Sequence, residues 1–127
     1  MTQTVPPRAL PALAAACGFL AVAAGAFGAH GVQDPTAKTL LHTGGEYGLV
    51  HALAVFAALR LDGQGARGAR LSAWLFLIGG AVFSASLYLL ALSGTRWFGA
   101  VTPIGGLCML GGWAALGYAA LSPRRPA

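Results

Sequence analysis

The stretch LSAWLFLIGGAVFSASLYLLAL, residues Leu71 to Leu92, contains no charged side chain and is long enough to cross a lipid bilayer. A helix rises about 1.5 Å per residue, so roughly 20 apolar residues cover the ~30 Å hydrocarbon core of a membrane. Three further stretches are similarly apolar and of comparable length, and they cover residues 9–29, 44–61 and 102–121. The sequence therefore predicts four transmembrane helices.

The composition of the chain agrees with a membrane location. Of its 127 residues, 57% are hydrophobic and only 9% are charged, whereas a soluble domain carries about 25% charged residues. The net charge of +5 does not indicate nucleic-acid binding, because the basic residues lie at the ends of the apolar stretches and form no basic face. We therefore expect the lipid bilayer as the surroundings and no nucleic-acid partner.

The short linkers between the four stretches favour antiparallel neighbours. We predict an all-α fold, a four-transmembrane-helix antiparallel bundle that forms a single membrane domain over residues 1–127. Asp34 followed by Pro35 is typical of a helix start. A short interfacial helix is therefore predicted from Pro35 to about Thr43, with Gly44 and Gly45 turning the chain into the second span.

The start of the fourth span is predicted by the same kind of signal, Thr102 followed by Pro103. The first span ends in small residues that would suit cleavage of a signal peptide. Its length and the three spans that follow favour a retained helix instead.

The Lys and Arg residues of the short loops predict the orientation, because they are concentrated on the cytoplasmic side. Those on one side are Arg8, Arg60, Arg67, Arg70, Arg124 and Arg125, and those on the other are Lys38 and Arg96. We therefore expect a multi-pass protein with both termini in the cytoplasm.

Small residues recur at a spacing of three or four on each predicted span, and such residues allow helices in lipid to pack closely. They are Ala21, Gly25 and Ala29 on the first span, Gly44, Gly48 and Ala52 on the second, Gly80 and Ser84 on the third, and Gly105, Cys108, Gly112, Ala115 and Ala119 on the fourth. We expect these positions to form the helix interfaces. Cys17 and Cys108 lie within apolar stretches at different depths and are predicted to be free thiols.

Polar side chains gather in the outer half of the membrane that this orientation defines. The candidate cluster consists of His30, Glu46, Tyr47, His51, Ser84, Ser86, Tyr88 and Thr102. A histidine that faced hydrocarbon would lose hydrogen bonds, at a cost of several kcal/mol. We therefore expect His51 to point into the bundle and to bond a polar group of the first or third span.

Three interpretations of this cluster compete. The cluster provides hydrogen bonds between helices, or it lines a pocket for a small molecule or a proton, or it serves catalysis or metal binding through His30, His42, Glu46 and His51. These dispersed ligands match no recurrent metal motif, and a haem held between His30 and His51 is a weaker signal still. We assign no catalytic residue, no metal ligand and no cofactor.

Four motifs follow one another along the chain: GAFGAHG (Gly25 to Gly31), YGLVHALA (Tyr47 to Ala54), FSASLYLLALSG (Phe83 to Gly94) and GAVTPIGG (Gly99 to Gly106). Together they closely resemble the DUF423 family of small membrane proteins, whose animal relatives are called transmembrane protein 256. The resemblance covers Gly18 to Trp113. It implies a bacterial inner-membrane or mitochondrial protein with about four spans and no established biochemical activity.

The signature positions that the resemblance implies lie nearly all in the predicted outer half. They are Gly28, His30, Gly31, Tyr47, His51, Ser84, Ser86, Tyr88, Thr102, Pro103 and Gly105. Members of the family usually carry Gln or another polar residue at the position of Glu46 and a second aromatic residue near Val50. The resemblance therefore implies that Glu46 is not an essential acid.

We predict a small integral protein of the bacterial inner membrane that acts by binding or assembly within the membrane, through the polar cluster. Its partners would be lipid, a second copy of the chain or another membrane protein. Transport of a small molecule or proton is the first alternative and would require an oligomer, because four helices make a thin bundle for a transporter. A membrane enzyme or metal site is the second, and it requires Glu46 or His51 to be accessible in a cleft.

Overall fold

The computed structural model describes residues 8–126, and this part of the chain contains four α-helices. They are α1 (Ala9–His30), α2 (Pro35–Gly63), α3 (Ala69–Ser93) and α4 (Arg96–Leu121). The prediction of an all-helical chain with four helices is confirmed. Three of the helices, α1, α3 and α4, are long and apolar enough to cross a membrane. The remaining helix, α2, carries Lys38, His42 and Glu46 in its first half.

α2 begins where the sequence predicts a helix start. The carboxylate of Asp34 accepts a hydrogen bond of 2.8 Å from the backbone N–H of Ala37, and Pro35 is the first residue of the helix. The helix then continues without a break to Gly63. The prediction of a separate interfacial helix that ends near Thr43 is therefore wrong.

The glycine pair Gly44–Gly45 explains this difference, because both residues serve helix packing and neither makes a turn. A Cβ on Gly44 would lie 2.7 Å from the ring of Tyr88 on α3. A Cβ on Gly45 would lie 2.8 Å from the carbonyl oxygen of Ala21 on α1. The two glycines thus let α1 and α3 approach α2 from two sides.

The helix start predicted at Thr102–Pro103 is also wrong, since α4 begins at Arg96 and contains Pro103 in its interior. Proline removes one backbone hydrogen bond, and membrane helices tolerate it where neighbouring groups compensate. The hydroxyl of Thr102 donates to the carbonyl of Phe98 at 3.2 Å and lies 2.6 Å from the hydroxyl of Ser86 on α3. The Thr–Pro pair therefore marks a helix contact.

Each helix packs mainly against its neighbours along the chain, α1 on α2, α2 on α3, and α3 on α4. Near the start of α1, Leu10 and Ala14 belong to one buried cluster with Ala58 near the end of α2 and Phe76 of α3. Within the described residues, α1 and α4 do not contact each other. The helices therefore do not close into a ring. α2 and α4 also contact each other only slightly, so a groove stays open between them.

Glycines bring the backbones of α3 and α4 into direct contact. A Cβ on Gly105 would lie 2.5 Å from the backbone nitrogen of Phe83 and 2.8 Å from the carbonyl oxygen of Gly79. About two helical turns further along α4, the ring of Phe76 lies over Gly112, where a Cβ would lie 2.7 Å from the ring. Because lipid gives no hydrophobic drive between helices, such close van der Waals packing provides much of their attraction.

Gly105→Ala is expected to destabilise the protein by about 1–3 kcal/mol, the usual cost of overpacking, because the new methyl group would meet backbone atoms. Gly106→Ala is the matched control, since no atom lies within 4 Å of a Cβ at Gly106. Both variants gain the same helix propensity, so their difference in unfolding free energy, measured in bicelles, isolates the contact. Equal stabilities of the two variants would contradict the close α3–α4 packing.

Candidate functional site

The predicted polar cluster separates into hydroxyl groups that join helices and side chains that border the groove between α2 and α4. The Ser84 hydroxyl donates to the carbonyl of Gly44 on α2 at 2.7 Å. The Ser86 hydroxyl lies 2.8 Å from the carbonyl oxygen of Phe83 and 2.6 Å from the hydroxyl of Thr102 on α4. Ser84, Ser86 and Thr102 therefore serve contacts between helices.

Tyr88 lies at the same α2–α3 contact, with its ring against Gly44. Its hydroxyl oxygen is buried, and no group in the described part of the chain meets hydrogen-bond geometry with it. Tyr88 borders a small depression of about 120 Å³ between α1, α2 and α3, which Cys17 and Gly48 also line. Both cysteines, Cys17 and Cys108, are free thiols, as predicted.

His51 is buried, with only 5% of its surface exposed, and it makes one hydrogen bond through each ring nitrogen. Its Nδ1 lies 2.7 Å from the carbonyl oxygen of Tyr47, and its Nε2 lies 3.0 Å from the indole Nε1 of Trp113 on α4. An indole N–H can only donate, so Nε2 accepts and the proton resides on Nδ1, which donates to the carbonyl. This arrangement requires a neutral imidazole.

The predicted inward orientation of His51 is confirmed, but the prediction of a partner on the first or third span is wrong. The partner is Trp113 of α4, which lies 62 positions away in the sequence. His51 occupies the side of α2 that turns toward α4 across the open groove. The sequence gives the depth of a residue along its helix, whereas the neighbouring helix it meets depends on the tertiary arrangement.

Aromatic rings surround this hydrogen bond. The ring of Trp113 lies edge-on to those of His51 and Phe76, with centroid distances of 5.9 and 4.8 Å. Tyr47 stacks on His51 at 6.1 Å and packs against Phe83 at 5.0 Å. Aromatic pairs at these distances contribute about 0.5–1.5 kcal/mol each beyond their buried area. The cluster therefore holds together the walls of the groove.

We call the open space beside this cluster the α2–α4 groove. Its larger part has a volume of about 370 Å³ and is lined by Thr43, Tyr47, His51, Phe83, Gly106, Met109, Leu110 and Trp113. An adjoining part of about 340 Å³ is lined by Glu46, Tyr47, Val50, His51 and Trp113. The lining is thus mostly apolar and aromatic, with the carboxylate of Glu46 at one margin.

Glu46, His42 and His30 are exposed. The carboxylate of Glu46 lies 3.7 Å from Nε2 of His42 one turn earlier, and both side chains are mostly accessible, at 65% and 77%. His30 ends α1 on the surface. Residues 8–126 bring together no three His, Cys, Asp or Glu side chains that could hold a metal. His51 has no free ring nitrogen for the haem considered from the sequence.

Two residues of these contacts were missed by the sequence analysis, Trp113 and Ser72. The Ser72 hydroxyl is fully buried and donates to the carbonyl of Gly112 at 2.9 Å, which adds a second hydrogen bond between α3 and α4. The spacing of Gly106, Leu110 and Trp113 places them on one face of α4. The sequence predicts that these residues share a face of α4, but it does not predict which helix lies opposite that face.

Comparison with known proteins gives a consistent set of relatives. A family model described as "Protein of unknown function (DUF423)" matches residues 24–106. The UPF0382 membrane protein of Haemophilus influenzae is 41% identical over 109 residues, which cover 84% of this chain and 88% of the relative. No solved structure matches the chain.

Two further relatives span similar lengths. The UPF0382 membrane protein YwdK of Bacillus subtilis is 37% identical, over 86% of this chain and 93% of the relative. The UPF0382 inner membrane protein YgdD of Escherichia coli is 39% identical, over 88% of each chain. The similarity therefore extends over almost the whole length of these proteins.

A double-mutant cycle tests the bond between His51 and Trp113. His51→Ala is expected to cost about 1–3 kcal/mol, because it leaves the indole N–H without an acceptor. Trp113→Phe keeps an aromatic ring and removes the donor, and its coupling with His51→Ala should be about 0.6–1.7 kcal/mol, the range of hydrogen bonds between membrane helices. Trp97→Phe, at an exposed position on the same helix, should show no coupling. A coupling near zero for the Trp113 pair would refute the assignment.

Proposed function

Because the chain belongs to the DUF423 family, whose UPF0382 relatives are named as membrane and inner membrane proteins, we propose that it binds lipid within the inner membrane through the α2–α4 groove. The observation that carries this proposal is the groove itself, about 370 Å³ in its larger part and bordered by Glu46, Tyr47 and His51 in its two parts. In this proposal the hydroxyls of Ser84, Ser86 and Thr102 hold the helices that form the groove.

We infer that α2 also spans the membrane, so that all four helices are spans of a single membrane domain over residues 1–127. α2 packs along both α1 and α3, which are candidate spans. Its residues 44–63 extend about 30 Å, the thickness of the hydrocarbon core, and residues 35–43 add about 13 Å beyond it. The polar first turns, with Lys38 and His42, would then lie at the headgroup level as the beginning of one continuous helix.

The size of the groove suits a lipid chain. Pockets for small molecules measure about 300–1,000 Å³, and the groove falls within this range. The surrounding solvent of a membrane span is lipid, so an acyl chain reaches the groove directly.

The polar margin of the groove selects the headgroup. The Glu46 carboxylate is accessible, with the His42 imidazole 3.7 Å away. A carboxylate at the headgroup level attracts a cationic amine and repels a phosphate. We therefore propose an amphipathic lipid with an amine headgroup of the phosphatidylethanolamine class, with its amine near Glu46 and one chain along Trp113. Finding a second copy of the chain or a partner protein in the groove would contradict this lipid assignment.

Filling the groove is expected to release the bound lipid. Gly106 lines the groove and has open space around a Cβ, so Gly106→Leu would place a side chain in it without disturbing the fold. Gly117→Leu is the matched control, because Gly117 also faces open space on α4 but does not line the groove. The lipid retained by each purified variant is counted by native mass spectrometry after extraction from nanodiscs of phosphatidylethanolamine and phosphatidylglycerol.

The Gly106→Leu variant should lose bound phosphatidylethanolamine that the Gly117→Leu variant keeps. Glu46→Gln should weaken its retention only a few-fold, since an exposed ion pair contributes about 0–1 kcal/mol. Equal retention by the two leucine variants would overturn the proposed site. A dimer mass that Gly106→Leu abolishes would instead assign the groove to a second copy.

The orientation proposed from the basic residues, with both termini in the cytoplasm, is tested by labelling in intact cells. Cys17 and Cys108 are first replaced by alanine. A membrane-impermeant maleimide should then label Thr36→Cys, at an exposed position before α2 has entered the membrane, and should not label Gln64→Cys in the next loop. Labelling of position 64 but not position 36 would reverse the orientation.

A further inference from the structure

We propose that the end of the molecule opposite Glu46 carries a built binding surface for the phosphate groups of anionic phospholipids. We call this surface the loop–tail clamp. It consists of the last two residues of α2 with the α2–α3 loop, residues 62–68, and of the C-terminal tail, residues 122–126. The clamp lies at the other end of α2 from the groove margin, and its role does not depend on the proposed function of the α2–α4 groove.

Backbone hydrogen bonds join the loop to the tail. The N–H of Arg125 donates to the carbonyl of Gly65 at 3.0 Å, and Ala66 pairs with Arg124 in a short antiparallel bridge. Beneath this contact, Ala66, Ala69 and Ala119 form a small buried cluster. Two segments that are far apart in the sequence are thus held as one unit.

The path of the loop depends on a glycine in a conformation that other residues rarely adopt. Gly65 has a φ of +79°, and a Cβ there would also lie 3.2 Å from the carbonyl oxygen of Arg125. A residue with a side chain at position 65 would therefore strain the loop and push the tail away. Gly94, between α3 and α4 at the opposite end, also has a positive φ, of +69°, and has open space around a Cβ.

The clamp presents arginines that the described residues leave without a carboxylate partner. Asp62 is the acidic residue of this end, and it is already bound by Arg70, whose Nε donates to it at 3.1 Å. Arg124 donates to the carbonyl of Ala119 at the end of α4. The remaining side chains, Arg67 and Arg125, are exposed, so the surface carries uncompensated positive charge.

The position and charge of the clamp select phospholipid headgroups as the partner. It joins the end of α2 to the start of α3 and to the end of α4, so it lies where spanning helices leave the hydrocarbon. Guanidinium groups bind phosphate oxygens in a bidentate manner. A shallow depression beside Arg125 has a volume of about 270 Å³, which is room for a headgroup. Its other lining residues are Asp62, whose carboxylate is bound by Arg70, and Gly63, Gln64, Gly65 and Pro126.

The test measures binding of phosphatidylglycerol to the purified full chain in detergent, with phosphatidylcholine as the neutral comparison. A basic residue near an anionic membrane surface contributes about fivefold in affinity. The double variant Arg67→Gln/Arg125→Gln is therefore expected to bind phosphatidylglycerol about 5- to 25-fold more weakly. Lys38→Gln/Arg96→Gln, which removes the same charge from the opposite end, should have little effect.

A second pair of variants distinguishes binding that requires the loop–tail contact from binding that requires only the positive charge of the arginines. Gly65→Val keeps every arginine but disturbs the clamp, so it should weaken phosphatidylglycerol binding several-fold. Gly94→Val places a side chain on a glycine of similar backbone conformation at the opposite end, and it should not weaken this binding. Equal binding by these two variants, or equal weakening by the two charge-removing pairs, would overturn the proposal. Equal binding of phosphatidylglycerol and phosphatidylcholine by the unmodified protein would also overturn it.

Discussion

The direct contact of helix backbones at glycine positions is the constraint on which the rest of this structure depends. A lipid environment supplies no water to hydrogen-bond stray polar groups and no hydrophobic drive between helices. At Gly105 the backbones of α3 and α4 touch, and at Gly44 and Gly45 two neighbouring helices meet α2. Only at such short separations do the hydroxyls of Ser72 and Ser84 reach a carbonyl on the next helix. The hydrogen bonds between helices therefore depend on the close packing at the glycines.

The same packing explains why a groove exists. α3 is held tightly by α2 on one side and by α4 on the other, whereas α2 and α4 touch each other only slightly. The bond from the Trp113 indole to Nε2 of His51 links the two walls. The polar residues that the sequence gathers at one membrane depth thus have two uses, since some join helices and others border an open space.

Much of the fold could be predicted from the sequence because lipid imposes simple rules on length and composition. The four helices, the Asp34 cap, the burial of Gly48, Gly80 and Gly112, and the inward orientation of His51 all follow from such rules. The features that could not be predicted involve residues whose chemistry is compatible with two different structures. A Gly–Gly pair permits either a turn or a close approach, and only the neighbouring helices decide between them. The pairing of His51 with Trp113 and of Gly65 with Arg125 joins distant segments, for which spacing along one helix carries no signal.

The two halves of α2 differ in chemistry, since the first half carries the accessible carboxylate of Glu46 and the second half leads to the exposed arginines of the loop–tail clamp. The central claim is that the groove between α2 and α4 holds a lipid chain. Solid-state NMR of the protein in lipid bilayers tests it most directly. The phosphatidylethanolamine is labelled with ¹³C, and ¹⁵N-labelled protein is mixed with ¹³C-labelled protein, so that contacts to lipid and to a second copy of the chain are both detected. The account predicts contacts from the indole nitrogen of Trp113 to lipid chain carbons. Contacts from that nitrogen to the carbons of another copy of the protein, with none to lipid, would contradict it.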